Sequence, residues 1–175
     1  VTVWLLAFLA GTGLFASSGF ERSRLSGLDP RPPQDTFNIK ELAEYRLTVP
    51  VFKQFVHASR LILTATQEEP RLANDPLFTR DVSVLDDVVS AAARVEARLK
   101  FEPRYASALR VASISARDYT KFALALFGAR MAHGFLKSGA IRGVTKGVAT
   151  ENVAFVAEHE SEVVDILTAL GVEAR

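Results

Sequence analysis

Apolar positions recur at helical spacing along most of the chain. Downstream of Thr48, the residues Phe52, Phe55, Val56, Ser59, Ile62, Leu63 and Thr66 fall on one face of a helix, with Thr48 placed to cap it and Pro50 in its first turn. Just upstream, Asn38 and Glu41 have capping-box spacing for a short helix carrying Ile39 and Leu42. Pro70 and Pro76 interrupt the pattern, so 67–79 reads as a long connection. A second long helix is predicted over 84–102, capped by Ser83, with Asp86 and Asp87 suited to its N-terminal dipole and a stripe of Val84, Leu85, Val88, Ala92, Val95 and Leu99. Pro103 ends it, and a helical turn over 104–111 comes next.

The third helix opens on Ser115 as cap with Asp118 in its first turn. It carries Tyr119, Phe122, Ala123, Leu124, Leu126, Phe127, Met131, Phe135 and Leu136 and stops at Gly139. A helix apolar around most of its circumference is either central in a bundle or covered by a partner. The fourth is expected to run from a Thr150 cap to Gly171, burying Val153, Val156, Ala157, Val163, Val164 and Leu167. No alternating Val/Ile/Thr run with hairpin signals occurs, and no sustained heptad or internal repeat. The expected fold is all-α, with an antiparallel four-helix-bundle-like body over 38–175.

The front of the chain is different. Residues 1–20, VTVWLLAFLAGTGLFASSGF, contain no charged side chain. The strongest part, 1–16, has about the length of a signal-peptide core and falls a little short of the roughly 20 residues of a full span. Ala16 and Ser18 stand where a signal peptidase would cut. We read the segment as a retained, signal-like anchor helix that puts Val3, Trp4, Leu5, Leu6, Phe8, Leu9, Leu14 and Phe15 against the lipid bilayer. The competing reading is a core helix of the body. Against that stands 21–37, ERSRLSGLDPRPPQDTF, whose Ser, Gly and three prolines favour an extended tether. Arg22 and Arg24 after the apolar run favour a cytoplasmic body, whereas the signal-like layout favours export. The body is expected on the periplasmic side. Phe20 and Phe37 bracket the tether and either fold back on the body or insert into a neighbour.

Composition narrows the chemistry. The formal net charge is +1, which leaves no global field to draw in nucleic acid, and none is expected as a partner. There is no cysteine, which removes disulfides, thiolate metal sites, iron–sulfur clusters and a cysteine nucleophile. The three histidines are the obvious metal or acid–base candidates. His57 projects opposite its helix's apolar stripe, His133 shares a face with Tyr119, Phe122 and Leu126, and His159 sits at a boundary. None has a Glu three residues before it, as the ligand pairs of di-iron bundles require, and no His-Glu-x-x-His sequence occurs. No cofactor, metal or catalytic site is assigned.

Two polar groupings remain. Glu160 points to the apolar side of its helix, and Arg130 and His133 on the third helix are placed to pair with it, giving a possible buried polar cluster. Between the third and fourth helices, KSGAIRGVTKG places Lys137, Arg142 and Lys146 among three glycines. That loop either presents amides and positive charge to a phosphate, a lipid headgroup or a partner, or is simply solvated. It lacks the Gly-Lys-Ser/Thr ending of a phosphate-binding P-loop. The fourth helix then carries Glu151, Glu158, Glu160, Glu162 and Asp165, an acidic face that is solvated or docks a basic surface.

The stretches SARDYTKFALALFGARMAHGFL and ATENVAFVAEHESEVVDIL resemble small uncharacterised α-helical envelope proteins of Gemmatimonadota-like bacteria, over the C-terminal third of the chain. The resemblance is one of capped-helix texture with Asn-Val-x-Phe-Val-x-x-His and contains no catalytic motif. It implies a membrane-extrinsic accessory subunit, of the kind that braces a photosynthetic reaction-centre–light-harvesting complex in a phototrophic member of that group. The expected function is therefore a non-enzymatic, membrane-anchored subunit that docks on and stabilises a larger membrane protein complex. The alternative is a stand-alone envelope protein with a ligand pocket inside the bundle near His133 and Met131.

Overall fold

The computed structural model describes residues 39–73, 88–144 and 147–169, and every regular element within them is an α-helix. α1 (Ile39–Glu44) and α2 (Val49–Glu68) come first. Thr48 holds the N-cap position of α2 in an extended conformation, but its hydroxyl makes no capping bond. The buried face of α2 is Phe52, Phe55, Ala58, Ser59, Ile62, Ala65 and Thr66, with Val56 and Leu63 half-buried at its edges. The two hydroxyls on that face are satisfied across the core. Ser59 Oγ lies 2.9 Å from the Tyr119 hydroxyl, while Thr66 Oγ1 donates to the Ile62 carbonyl at 2.8 Å and lies 3.3 Å from the Tyr105 hydroxyl. Burying a hydroxyl without such a partner costs about 1–3 kcal/mol, so the tyrosines make these polar positions tolerable. Burial also pushes the Tyr119 phenol up to about 12.

Pro70 opens a helix rather than breaking one, and Pro103 stands, as expected, between the end of one helix and the start of the next. Each is the first residue of an element, the single turn α3 (Pro70–Ala73) and α5 (Pro103–Val111). At that position the missing N–H has no intrahelical partner to lose. The connection expected over 67–79 is thus helical up to Ala73 apart from Glu69, and Pro76, Ser83, Val84, Leu85, Asp86 and Asp87 lie outside the described residues. α4 (Val88–Phe101) ends one residue earlier than expected, because Glu102 leaves the helix to cap α5. The Glu102 side chain is 3 % exposed, and its carboxylate accepts from Arg71 at 3.3 Å and pairs with Arg98 at 3.4 Å. Two guanidiniums on one buried carboxylate supply the partners such a charge needs. They tie the turn after α2 to the α4–α5 corner.

α5 ends in a Schellman motif: the N–H of Ile114 reaches the Leu109 carbonyl at 3.1 Å, and that of Ser113 reaches Arg110 at 3.1 Å. The motif puts Ser113 at φ 56, a left-handed conformation. At the end of the next helix the same motif falls on Gly139, at φ 73. Replacing Ser113 with Gly is expected to stabilise the body by about 1 kcal/mol and raise the melting temperature by about 2–4 °C. Gly139→Ala is expected to do the reverse, and thermal denaturation of the two variants checks the pair.

α6 (Ala116–Lys137) is the longest helix described. Ser115 caps it as expected, accepting from the Asp118 N–H at 3.0 Å while its hydroxyl donates to the Asp118 carboxylate at 2.6 Å. α6 packs against α1, α2, α4 and α7, which accounts for apolar residues on nearly every side of it. Phe122 is fully buried at the centre, with rings of Phe55 at 5.0 Å, Phe52 at 6.1 Å and Tyr45 at 6.4 Å. Burial, reinforced by Asp118, pushes the Tyr45 phenol up to about 12. Glu41 clamps α1 to α6 through Lys121 and through Arg117 at 3.1 Å.

The fourth helix is not continuous. It divides at His159 (φ −109, ψ 26) into α7 (Thr150–Glu158) and α8 (Glu160–Ala169). Thr150 is the first helical residue rather than the cap, which is Ala149 without a side-chain bond. The His159 ring packs 4.6 Å from Phe155 and 6.1 Å from Phe52. In α8 Val163, Ile166 and Leu167 are buried and Val164 is only half-buried, while Ala157, near the end of α7, is exposed. Asn152, also buried, ties α7 to the α1–α2 junction: its Oδ1 accepts from the Leu47 N–H at 2.9 Å and its Nδ2 donates to the Tyr45 carbonyl at 2.9 Å.

Candidate functional site

Of the polar residues singled out in the sequence, those at the C-terminal half of α6 and the start of α8 come together. Glu160 is the first residue of α8, where the helix dipole favours a carboxylate. Lys137, on the last turn of α6, donates to both its oxygens, at 2.9 and 3.1 Å. His133, one turn earlier, places Nε2 3.7 Å from Glu160 Oε1, too long for a hydrogen bond, and that nitrogen has no hydrogen-bond partner among the described residues. Arg130 acts on the carboxylate only through space.

The cluster expected to be buried is therefore at the rim. The Glu160 side chain is 39 % exposed and that of Lys137 65 %, with His133 at 17 % the most enclosed of the three. Helical counting places Glu160 on the face of Val156 and Val163, which are buried, but as the first residue of α8 beside the end of α6 it is covered only in part. The Lys137 hydrogen bond is the main cause that holds the Glu160 carboxyl below its ordinary value of 4.5, with the Lys137 charge, His133 and Arg130 acting the same way and burial opposing them. A carboxyl lowered on folding stabilises the fold above its unfolded value and stops doing so as pH falls through its folded one. The α6–α8 clasp is accordingly expected to hold at neutral pH and to loosen below about pH 4.5. Lys137→Met removes the main cause of the lowered carboxyl and should flatten that pH dependence, read as amide exchange at the start of α8.

The other candidates are dispersed. His57 is exposed, as expected, and His159 is turned to Phe155 and to Glu162, whose Oε1 lies 3.4 Å from its Nδ1. Of the three loop cations, Lys137 is engaged by Glu160, Arg142 is exposed, and Lys146 lies outside the described residues. Also outside them are the anchor residues Val3, Trp4, Leu5, Leu6, Phe8, Leu9, Leu14 and Phe15, and the tether rings Phe20 and Phe37. Among the described residues no group of three or more His, Asp or Glu is placed to hold a metal ion, and no helix is long and apolar enough to cross a membrane.

Three features went unread in the sequence. Asn152 precedes Val153 on the same face as Val156 and Val163, and a lone amide on an apolar face is a signal for a side-chain-to-backbone bridge. Glu102 stands before a proline and four residues after Arg98, a pattern compatible with a cap. The third is a cleft of about 170 Å³ between α2 and α8, lined by Phe52, Val56, Arg60, Glu162, Asp165 and Ile166. No periodicity within either helix reports on it, because it exists only between them. It is not the pocket expected near His133 and Met131. No protein-family model matches the chain, and neither a curated protein nor a solved structure matches it.

Proposed function

We propose that this chain is a non-enzymatic accessory subunit held at a membrane by residues 1–20, with 21–37 as the tether and the helical unit as the part that docks on a larger membrane complex. In this reading the body is an antiparallel four-helix bundle of α2, α4, α6 and the broken pair α7–α8, carried on the periplasmic face. The observation that supports it most is the uninterrupted absence of charge over 1–20, joined by a proline-rich stretch to a unit that fills its own core. A segment so apolar is unstable in water and needs lipid or protein around it.

The body also offers large apolar side chains to its surroundings. Phe101 is 74 % exposed, Val111 60 % and Phe135 40 %. Aromatic side chains of this kind act as anchors at protein interfaces. The resemblance to envelope proteins of a bacterial group that has a phototrophic member makes a reaction-centre–antenna complex the first partner to test.

The test is gentle solubilisation of native membranes, then native gel separation and identification of whatever travels with the chain. Co-migration with one stoichiometric complex is expected, lost on deletion of 1–20 and weakened by Phe101→Ser, with the body's melting temperature unchanged by that serine. Migration of the chain alone would remove the docking role, and retention on membranes after the deletion would remove the anchor.

A further inference from the structure

The cleft between α2 and α8 has a composition that neither the core nor the ion pairs account for. Its floor is apolar, formed by the buried rings and branches of Phe52 and Ile166 with half-buried Val56. Its rim carries opposite charges on opposite helices, Arg60 on α2 and Glu162 and Asp165 on α8. Glu162 is held by His159 at 3.4 Å. Arg60 and Asp165 enter no ion pair among the described residues, although they line the same concavity. A guanidinium and a carboxylate that face one space without closing on each other suit a guest carrying both complementary charges.

We propose that this cleft binds a small zwitterionic α-amino acid with a branched or aromatic apolar side chain. The ligand's carboxylate is taken by Arg60, whose planar fork matches it in bidentate fashion. Its ammonium is taken by Asp165, with Glu162 adding negative potential, and its side chain covers Phe52, Val56 and Ile166. A purely anionic ligand would face two carboxylates, and a purely cationic one would face Arg60. The size agrees, since a cavity of about 150 Å³ accommodates a benzene-sized group, enough for a leucine or phenylalanine side chain. Because the charged groups are exposed and screened, binding is weak, with a dissociation constant of about 1 mM. The site is independent of the role of residues 1–20.

The experiment uses the full chain with labelled isoleucine methyl groups, titrated with L-leucine while the Ile166 methyl signal is tracked, buried Ile62 and Ile114 serving as internal controls. A saturable shift confined to Ile166 is expected. 4-Methylpentanoate, which lacks the ammonium, and 3-methylbutylamine, which lacks the carboxylate, are each expected to bind at least ~10-fold more weakly. Arg60→Gln and Asp165→Asn should each weaken leucine ~10-fold while leaving the unliganded spectrum of Ile62 and Ile114 in place. Absence of a saturable Ile166 shift up to about 20 mM leucine, some twentyfold above the expected constant, overturns the proposal. So does equal binding of either singly charged analogue, which would make the cleft a plain apolar groove.

Discussion

Phe122→Ala is expected to destabilise the body by about 3–5 kcal/mol, the largest effect of any single truncation in the core. The ring is wholly buried on α6 and has three aromatic neighbours, Phe52, Phe55 and Tyr45, contributed by α2 and the segment that leads into it. Aromatic pairs add about 0.5–1.5 kcal/mol beyond area burial, and the hole left by the ring is walled by other rings that collapse poorly. Phe122→Leu keeps most of the volume and should cost less than half as much. Chemical denaturation of the two variants gives the comparison. A drop of under about 1 kcal/mol for the alanine variant would mean that the α2–α6 contact is not where the body's stability resides.

Asn152→Leu is the second, with about 2–4 kcal/mol expected from the loss of two hydrogen bonds. A leucine of similar size fills the space but cannot accept from Leu47 or donate to Tyr45, so a buried backbone N–H and a partly buried carbonyl lose their partners together. At about 2–4 °C per kcal/mol the melting temperature should fall by roughly 5–15 °C. Stability alone would not separate this from overpacking, so the informative measurement is amide exchange at Leu47. Its protection should fall far more than that of Phe55 or Phe122. Protection of Leu47 unchanged in the leucine variant would show that the bridge is dispensable.

Much of the fold is legible residue by residue. The stripe from Phe52 to Thr66 places α2 and its buried face, since a continuous helix repeats its exposure every 3.6 residues whatever it packs against. Ser115 with Asp118 marks the start of α6, and Gly139 its end, because caps are satisfied within a few residues of chain. Pro70 misleads for a reason that is also local: a proline that opens a helix and a proline that breaks one differ only in the conformation of the residues after it. The break at His159 is invisible for a different reason. Nothing between Thr150 and Ala169 is a helix breaker, and the imidazole is placed by rings on α2 and α7.

The candidate site divides in the same way. Residue order alone is enough to nominate Glu160 and His133 as neighbours, because one helix face limits which side chains can meet the next. It misjudges the depth, since a helix face fixes the direction of a side chain and not how far the neighbouring helix covers it. Residue order by itself thus determined which segments are helical, where most of them start and stop, and that residues 1–20 are unlike the rest. Tertiary structure alone decided that Lys137 rather than Arg130 holds Glu160, that Asn152 bridges two backbone groups more than a hundred residues away, and that Arg60 and Asp165 share a cleft. Caps and stripes are satisfied within a turn or two of chain, whereas a pairing between helices depends on their relative rotation and offset, which no local interaction encodes.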